Sequence, residues 1–179
     1  MNFRRTRVPG GLYFFTLVTH DRYPWLESPA AVRRFCSGYR TVRLNHPFET
    51  LALVILPDHL HAVWRLPADD HDYPLRWRKI KHSFSRGCLA GRVTQSMTRR
   101  REKGVWQRRY WEHLIDDDAA TEAIIEYVHF NPVKHGVCRA PEEWPWSTVR
   151  RAMAKGWHPP GWGQGMLQRQ VPGGVGKDP

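Results

Sequence analysis

Cysteine is scarce: Cys36, Cys88 and Cys138 stand far apart, and none belongs to a CxxC pair. This rules out a cysteine-built zinc motif and suits a reducing compartment. There is no GxxxxGK phosphate loop, so nothing points to nucleotide hydrolysis. No apolar run is long enough to span a bilayer. LYFFTLV, which follows MNFRRTR, is short, is interrupted at Pro9-Gly10-Gly11 and lacks a small-residue cleavage site, so it reads as a strand and not as a leader. No repeat of solenoid length occurs. One segment also lacks acid. From Arg76 to Arg109 there are twelve Lys or Arg and a single carboxylate, Glu102, whereas the remainder carries sixteen of each sign. The excess of +11 therefore sits in one place. A solvated loop could carry such charge, but its concentration suits a polyanion, nucleic acid before a membrane surface.

What is present fits one globular domain. The chain has 179 residues, 41% hydrophobic and 12% aromatic, with nine Trp. Leu12 to Thr19 reads as a buried strand. Ser28 caps a helix from Pro29 to Leu44, with Val32, Phe35, Tyr39 and Val42 spaced by three and four. Phe48 to Leu56 and His59 to Leu66 form two strands joined by a turn at Pro57-Asp58. Leu75 to Leu89 is a second helix, with Trp77, Ile80, Phe84 and Cys88 inward and Lys79, His82 and Arg86 outward. Residues 92–104 read as a mobile basic loop, and Val105 to Ile115 as a strand. Asp116, Asp117 and Asp118 open a third helix. It is expected to end at Asn131, because the α conformation is disfavoured before Pro132. The order β, α, β, β, α, β, α predicts an α+β fold: a ferredoxin-like antiparallel sheet with helices on its faces. Residues 1–155 read as the domain and 156–179 as a Gly/Pro-rich tail, poorly ordered over its last dozen residues.

His59 and His61 carry the first chemical signal. Strand side chains alternate, so both imidazoles share a face. Such a pair can ligate a metal, although a polar sheet edge would look the same. A cupin-like site needs an all-β chain and a Glu soon after; here the next acid is Asp69. A two-histidine phosphoesterase needs two HxT/S copies, and there is one HxH, followed by Ala62.

Tyr127 and Asn131 lie four apart on the third helix and share a face. Asn131 offers a hard carbonyl oxygen. Two imidazoles and an amide oxygen suit Mg²⁺ or Mn²⁺ better than a closed zinc site. His113, His129 and His135 lie nearby and receive no catalytic role. Trp106, Trp144 and Trp146 are candidates for stacking bases, or for the core.

Taken together, PGGLYFFTLVTH, LPDHLHAVWRLP, LRWRKIKHSFSR, GVWQRRYWEHLI, EYVHFNPVKHGV and WPWS resemble the REP-associated tyrosine transposases. These are bacterial relatives of the single-tyrosine transposases of the HUH superfamily. The resemblance runs from about Arg5 to Gly161. It implies the HUH transposase fold, with His59 and His61 as metal ligands, Asn131 as the third ligand and Tyr127 as the nucleophile. Tyr127 would attack a phosphodiester of single-stranded DNA beside a palindromic hairpin, leaving a 5′-phosphotyrosine and a free 3′-OH. The metal would be Mg²⁺ or Mn²⁺, with Lys134 a second source of positive field. Arg4, Arg5 and Arg7 of the N-terminal arm, with Arg78, Lys79, Lys81, Arg86, Arg108, Arg109 and Lys134, would meet the DNA. The expected setting is the bacterial cytoplasm, at the nucleoid and not a membrane, as a monomer or homodimer. The alternative is a non-catalytic protein that keeps the fold and binds hairpin DNA or RNA; four intact site residues argue against it.

Overall fold

The computed structural model describes residues 7–164. Arg4 and Arg5, and the last dozen residues expected to be poorly ordered, lie outside them. The elements are β1 (Leu12–Val18), α1 (Pro29–Asn45), β2 (Glu49–Ile55), β3 (His59–Arg65), α2 (Tyr73–Arg86), α3 (Gln95–Arg99), β4 (Trp111–Ile115), α4 (Asp118–Lys134) and α5 (Val149–Ala154), with 3₁₀ turns at His20–Arg22 and Pro141–Glu143. The sheet order is β2-β3-β1-β4, antiparallel throughout. That is the ferredoxin-like arrangement expected, with α4 added on the second face.

Alternation along the central strands builds two cores. Tyr13, Phe15 and Leu17 of β1 and Leu60, Ala62 and Trp64 of β3 face α1 and α2. Phe14 and Val63 face the opposite way, toward Tyr127 and Val128 of α4. Trp64 stacks on Trp77 with centroids 4.0 Å apart. Ser28 caps α1 by accepting from the Ala31 N–H, and Asp72 caps α2 by accepting from the Leu75 N–H. The two helices meet where Gly38 faces Ser83; a Cβ at Gly38 would come within 2.6 Å of the Ser83 hydroxyl. The outer edge of β2 is covered by residues 146–148: the Ile55 N–H donates to the Trp146 carbonyl, and Leu53 exchanges bonds with Thr148.

Three local expectations are corrected. The helix does not end at Asn131 but runs through Pro132 to Lys134. A proline costs an interior helix about 3 kcal/mol and one N–H bond. Here every residue from Tyr127 to Pro132 is buried, and that packing outweighs the local preference. The last strand is only Trp111–Ile115. Upstream, the chain touches the sheet through the Thr19–Trp106 bridge and the Gln107 N–H to the Val18 carbonyl, then leaves it. Finally, the 92–104 segment holds a short helix, α3, capped by Thr94 and anchored by buried Met97.

Candidate active site

β3 points His59 and His61 at α4, and both are buried. Each has its Nδ1 engaged: His59 with Asp58 Oδ1 at 2.6 Å, and His61 with Thr16 Oγ1 at 2.9 Å. A carboxylate only accepts, so His59 Nδ1 donates. Fixing Nδ1 in this way makes Nε2 the nitrogen that would meet a metal, as is usual where an outer partner orients a ligating imidazole. Burial works to raise the Asp58 carboxyl, but bonds from His59 and Arg22 outweigh it and hold Asp58 below its ordinary value.

α4 lays a stripe over this pair. Tyr127, Asn131 and Lys134 follow one another at helical spacings of four and three, and His135, the residue just past the helix end, comes four after Asn131. The Tyr127 ring stands 5.4 Å from that of His61, and the His135 ring 4.8 Å from that of His59. The Lys134 ammonium donates to Tyr127 Oη at 3.5 Å and lies 5.1 Å from the centre of its ring. Asn131 is fully buried, and neither Oδ1 nor Nδ2 has a hydrogen-bond partner among the described residues. Leaving an amide so would cost on the order of 1–3 kcal/mol. A cation bound to Oδ1 would recover that cost. Among the described residues, no group of three or more His, Cys, Asp and Glu is placed to hold a metal. A two-histidine centre here would therefore need a ligand of another kind, and Asn131 is that kind. The donor set fits a divalent cation.

His129 shares α4 but points away, as expected. It is fully buried, with Nδ1 2.8 Å from His158 Nε2 and Nε2 2.9 Å from Thr148 Oγ1. His158 in turn stacks on Trp162 at 4.0 Å. Residues 157–162 thus brace the helix that carries Tyr127 and Asn131.

The cations gather elsewhere. A cavity of about 830 Å³ lies beside α2, and its lining includes Arg7, Arg78, Lys81, Arg86 and Arg108 together with Arg100, Arg101 and Lys103. α2 packs on the sheet face opposite α4, so this surface and the histidine pair are on different sides. Lys79 and Arg109 are exposed outside the cavity, and Lys134 is at Tyr127. Not every cation of the basic segment is available: Arg76 is buried, paired with Asp70 at 2.7 Å and bonded to the carbonyls of His46, Pro47 and Asp72.

No protein-family model matches the chain. A protein of Haemophilus influenzae named as a REP-associated tyrosine transposase is 38% identical over 164 residues, 90% of this chain and 93% of its own. The chain belongs to the REP-associated tyrosine transposases. The Escherichia coli member is 34% identical over 160 residues, 89% of each chain. A solved REP-associated tyrosine transposase bound to a REP hairpin superposes with a TM-score of 0.81 at 32% identity, covering 96% of both chains.

Within this transposase, the structure sets the helix that carries Tyr127 and Asn131 against His59 and His61, a meeting that spacing within either pair does not dictate. The sequence reading missed Thr16 and Asp58; His135, which it gave no catalytic role, has its ring against that of His59. Asp58 had a local signal, since it directly precedes His59. Thr16 had none, because only the β1–β3 register sets it opposite His61. The tryptophans suspected of stacking bases are structural: Trp106 packs in the first core, Trp144 Nε1 donates to the Ile55 carbonyl and Trp146 packs on the first core. No helix among the described residues is long and apolar enough to cross a membrane.

Proposed function

We propose that this transposase cleaves and rejoins single-stranded DNA at palindromic, REP-like hairpins through a phosphotyrosine at Tyr127. The observation that carries the reading is the buried Tyr127–Asn131 stripe laid against two imidazoles whose Nδ1 atoms are already engaged. Binding of a REP hairpin by the solved relative supports the choice of substrate.

Tyr127 Oη attacks the scissile phosphorus. The new P–O bond forms as the bond to the 3′ oxygen breaks, the phenol proton is given up, and the 3′ oxygen leaves as a hydroxyl once protonated. One ester replaces another, so no nucleotide energy source is consumed, and the same step reversed joins the 5′ end to another 3′-OH. His59, His61 and Asn131 would hold Mg²⁺ or Mn²⁺, which would supply positive charge against the phosphate and the departing oxygen. A free phenol ionises near pH ~10, so attack needs positive charge at Oη. Lys134 provides it 3.5 Å away. Arg7, Arg78, Lys79, Lys81, Arg86, Arg108 and Arg109 meet phosphates, joined by Arg4 and Arg5 of the arm. The domain spans 1–155, and 156–179 is a tail whose first turn braces α4. The setting is the cytoplasm, at the nucleoid.

The test is incubation with Mg²⁺ or Mn²⁺ and hairpin oligonucleotides, comparing the parent chain with Tyr127→Phe. A covalent protein–DNA band that requires both metal and Tyr127 is expected. Tight hairpin binding with no covalent band would replace this reading with a binding protein.

A further inference from the structure

Two aromatic rings on the edge of the sheet remain without a role in the site described. Trp111 and His113 lie on β4, which pairs with β1 on one side only. The register sets Trp111 opposite Thr16 and His113 opposite Phe14, so both side chains stand on the face of Tyr127. Their rings are parallel within 2°, with centroids 5.6 Å apart, and both residues are partly exposed. Phe14 links them to the site: its ring is 5.6 Å from Trp111, 5.4 Å from His61 and 6.0 Å from Tyr127. Arg109, exposed and with no hydrogen-bond or ion-pair partner among the described residues, ends the basic segment two residues before Trp111.

We infer that Trp111 and His113 form a stacking platform for one unpaired nucleobase of the strand that enters the site. Parallel aromatic rings present π-faces that every base can continue, and such stacking tolerates sequence. The contrast with the other tryptophans supports the assignment: Trp64 and Trp77 are fully buried against each other, and Trp106 is held in the first core. Trp111 leans on the second core through Phe14 but keeps part of its ring exposed, and with His113 it stands on the edge strand, on the face of Tyr127. A strand whose phosphate rests on Arg109 could lay its base on this pair before reaching Tyr127. The inference rests on the reading of a single-stranded DNA substrate and adds where that strand is held.

The test is a binding cycle that needs no chemistry. Tyr127→Phe protein is titrated by fluorescence anisotropy with a hairpin bearing an unpaired flank, and each flank nucleotide is replaced in turn by an abasic residue. One position is expected to lose about 5- to 150-fold, the range that stacking one base spans. Trp111→Leu and His113→Ala, each in that background, should lose a comparable factor on the intact flank and nothing further when that position is abasic. Losses that multiply at every position, or variants that bind like the parent, would overturn the platform. His113→Ala, at a partly exposed edge position, carries the test if Trp111→Leu fails to fold. Because covalent capture is scored separately with the parent chain, a platform can fail while the nuclease stands, and the reverse. Absence of any hairpin binding by the parent would remove both.

Discussion

Asp58→Asn tests whether the outer partner of His59 sets its power to hold a metal. The substitution keeps size and shape and removes only the charge. In the parent, the 2.6 Å bond between Asp58 Oδ1 and His59 Nδ1 is charge-assisted and mostly shielded from solvent on the histidine side, where the ring is only 3% exposed. Such bonds are roughly twice as strong as neutral ones, and losing an outer partner of a ligating histidine typically costs about 10- to 100-fold in metal affinity. That is about 1.4–2.7 kcal/mol. Asp58→Asn should fall near the lower figure, since an amide oxygen can still accept, and Asp58→Ala near the upper. Arg22 grips the far oxygen of Asp58 at 3.0 Å, but its side chain is 40% exposed. Exposed pairs contribute about 0–1 kcal/mol, so Arg22→Gln should change affinity by no more than about fivefold. The assay is calorimetric titration of Mn²⁺ into each variant made in the Tyr127→Phe background, with metal-free urea melts to confirm folding. If Asp58→Asn bound Mn²⁺ as tightly as its parent, or if Arg22→Gln cost as much as Asp58→Ala, the orienting role would be refuted.

Other consequences are open to measurement. Lys134→Met should slow covalent capture on the order of 100-fold while hairpin binding shifts little, because one positive donor at the attacking oxygen is lost; equal losses in both would make Lys134 a DNA-binding residue instead. Burial first, then the nearby charges of His158 and Arg151, push His129 down to about 3. The unfolded chain therefore binds this proton near pH 6.5 and the folded chain does not, so stability is full above that value and falls as pH drops toward 3. At pH 5 the loss should be about 2 kcal/mol, and urea melts that stay level between pH 7.5 and 5 would contradict it. Arg76→Met should lower stability by about 3 kcal/mol, because it strips donors from buried carbonyls, yet leave the salt dependence of DNA binding intact. Arg86→Gln or Arg101→Gln should do the opposite, flattening the salt slope by about 0.7 for each single-strand phosphate that the variant no longer neutralises.

Each half of the candidate site was legible in its own spacing, whereas the joining of the two halves was implied by the family resemblance. His59 and His61 need only strand alternation, and Tyr127 and Asn131 only the four-residue helical repeat. The ferredoxin-like order followed from strands and helices with clear caps and stripes. Where the reading failed, tertiary packing had overruled a local rule. Pro132 should have stopped the helix, but the burial of residues 127–132 keeps it continuous and so holds Asn131 one turn from Tyr127. Arg76 looks like any other cation in its segment, and only the fold shows it enclosed by carbonyls and Asp70. The roles of Thr16 and His158 depend on partners 45 and 29 residues away, and no local pattern marks such pairs.

The continuity of α4 through its proline makes the proposed nucleophile, Tyr127, and the proposed third ligand, Asn131, two points on one rigid lever. A turn or slide of that lever cannot move Tyr127 while leaving Asn131 in place. If the helix swings to carry a tyrosine-linked strand away from the histidines, it also dismantles the cation's coordination in the same stroke. Attack and release would then be gated by one mechanical coordinate, and the packing of His129 and Trp162 at its back would set how stiff that coordinate is.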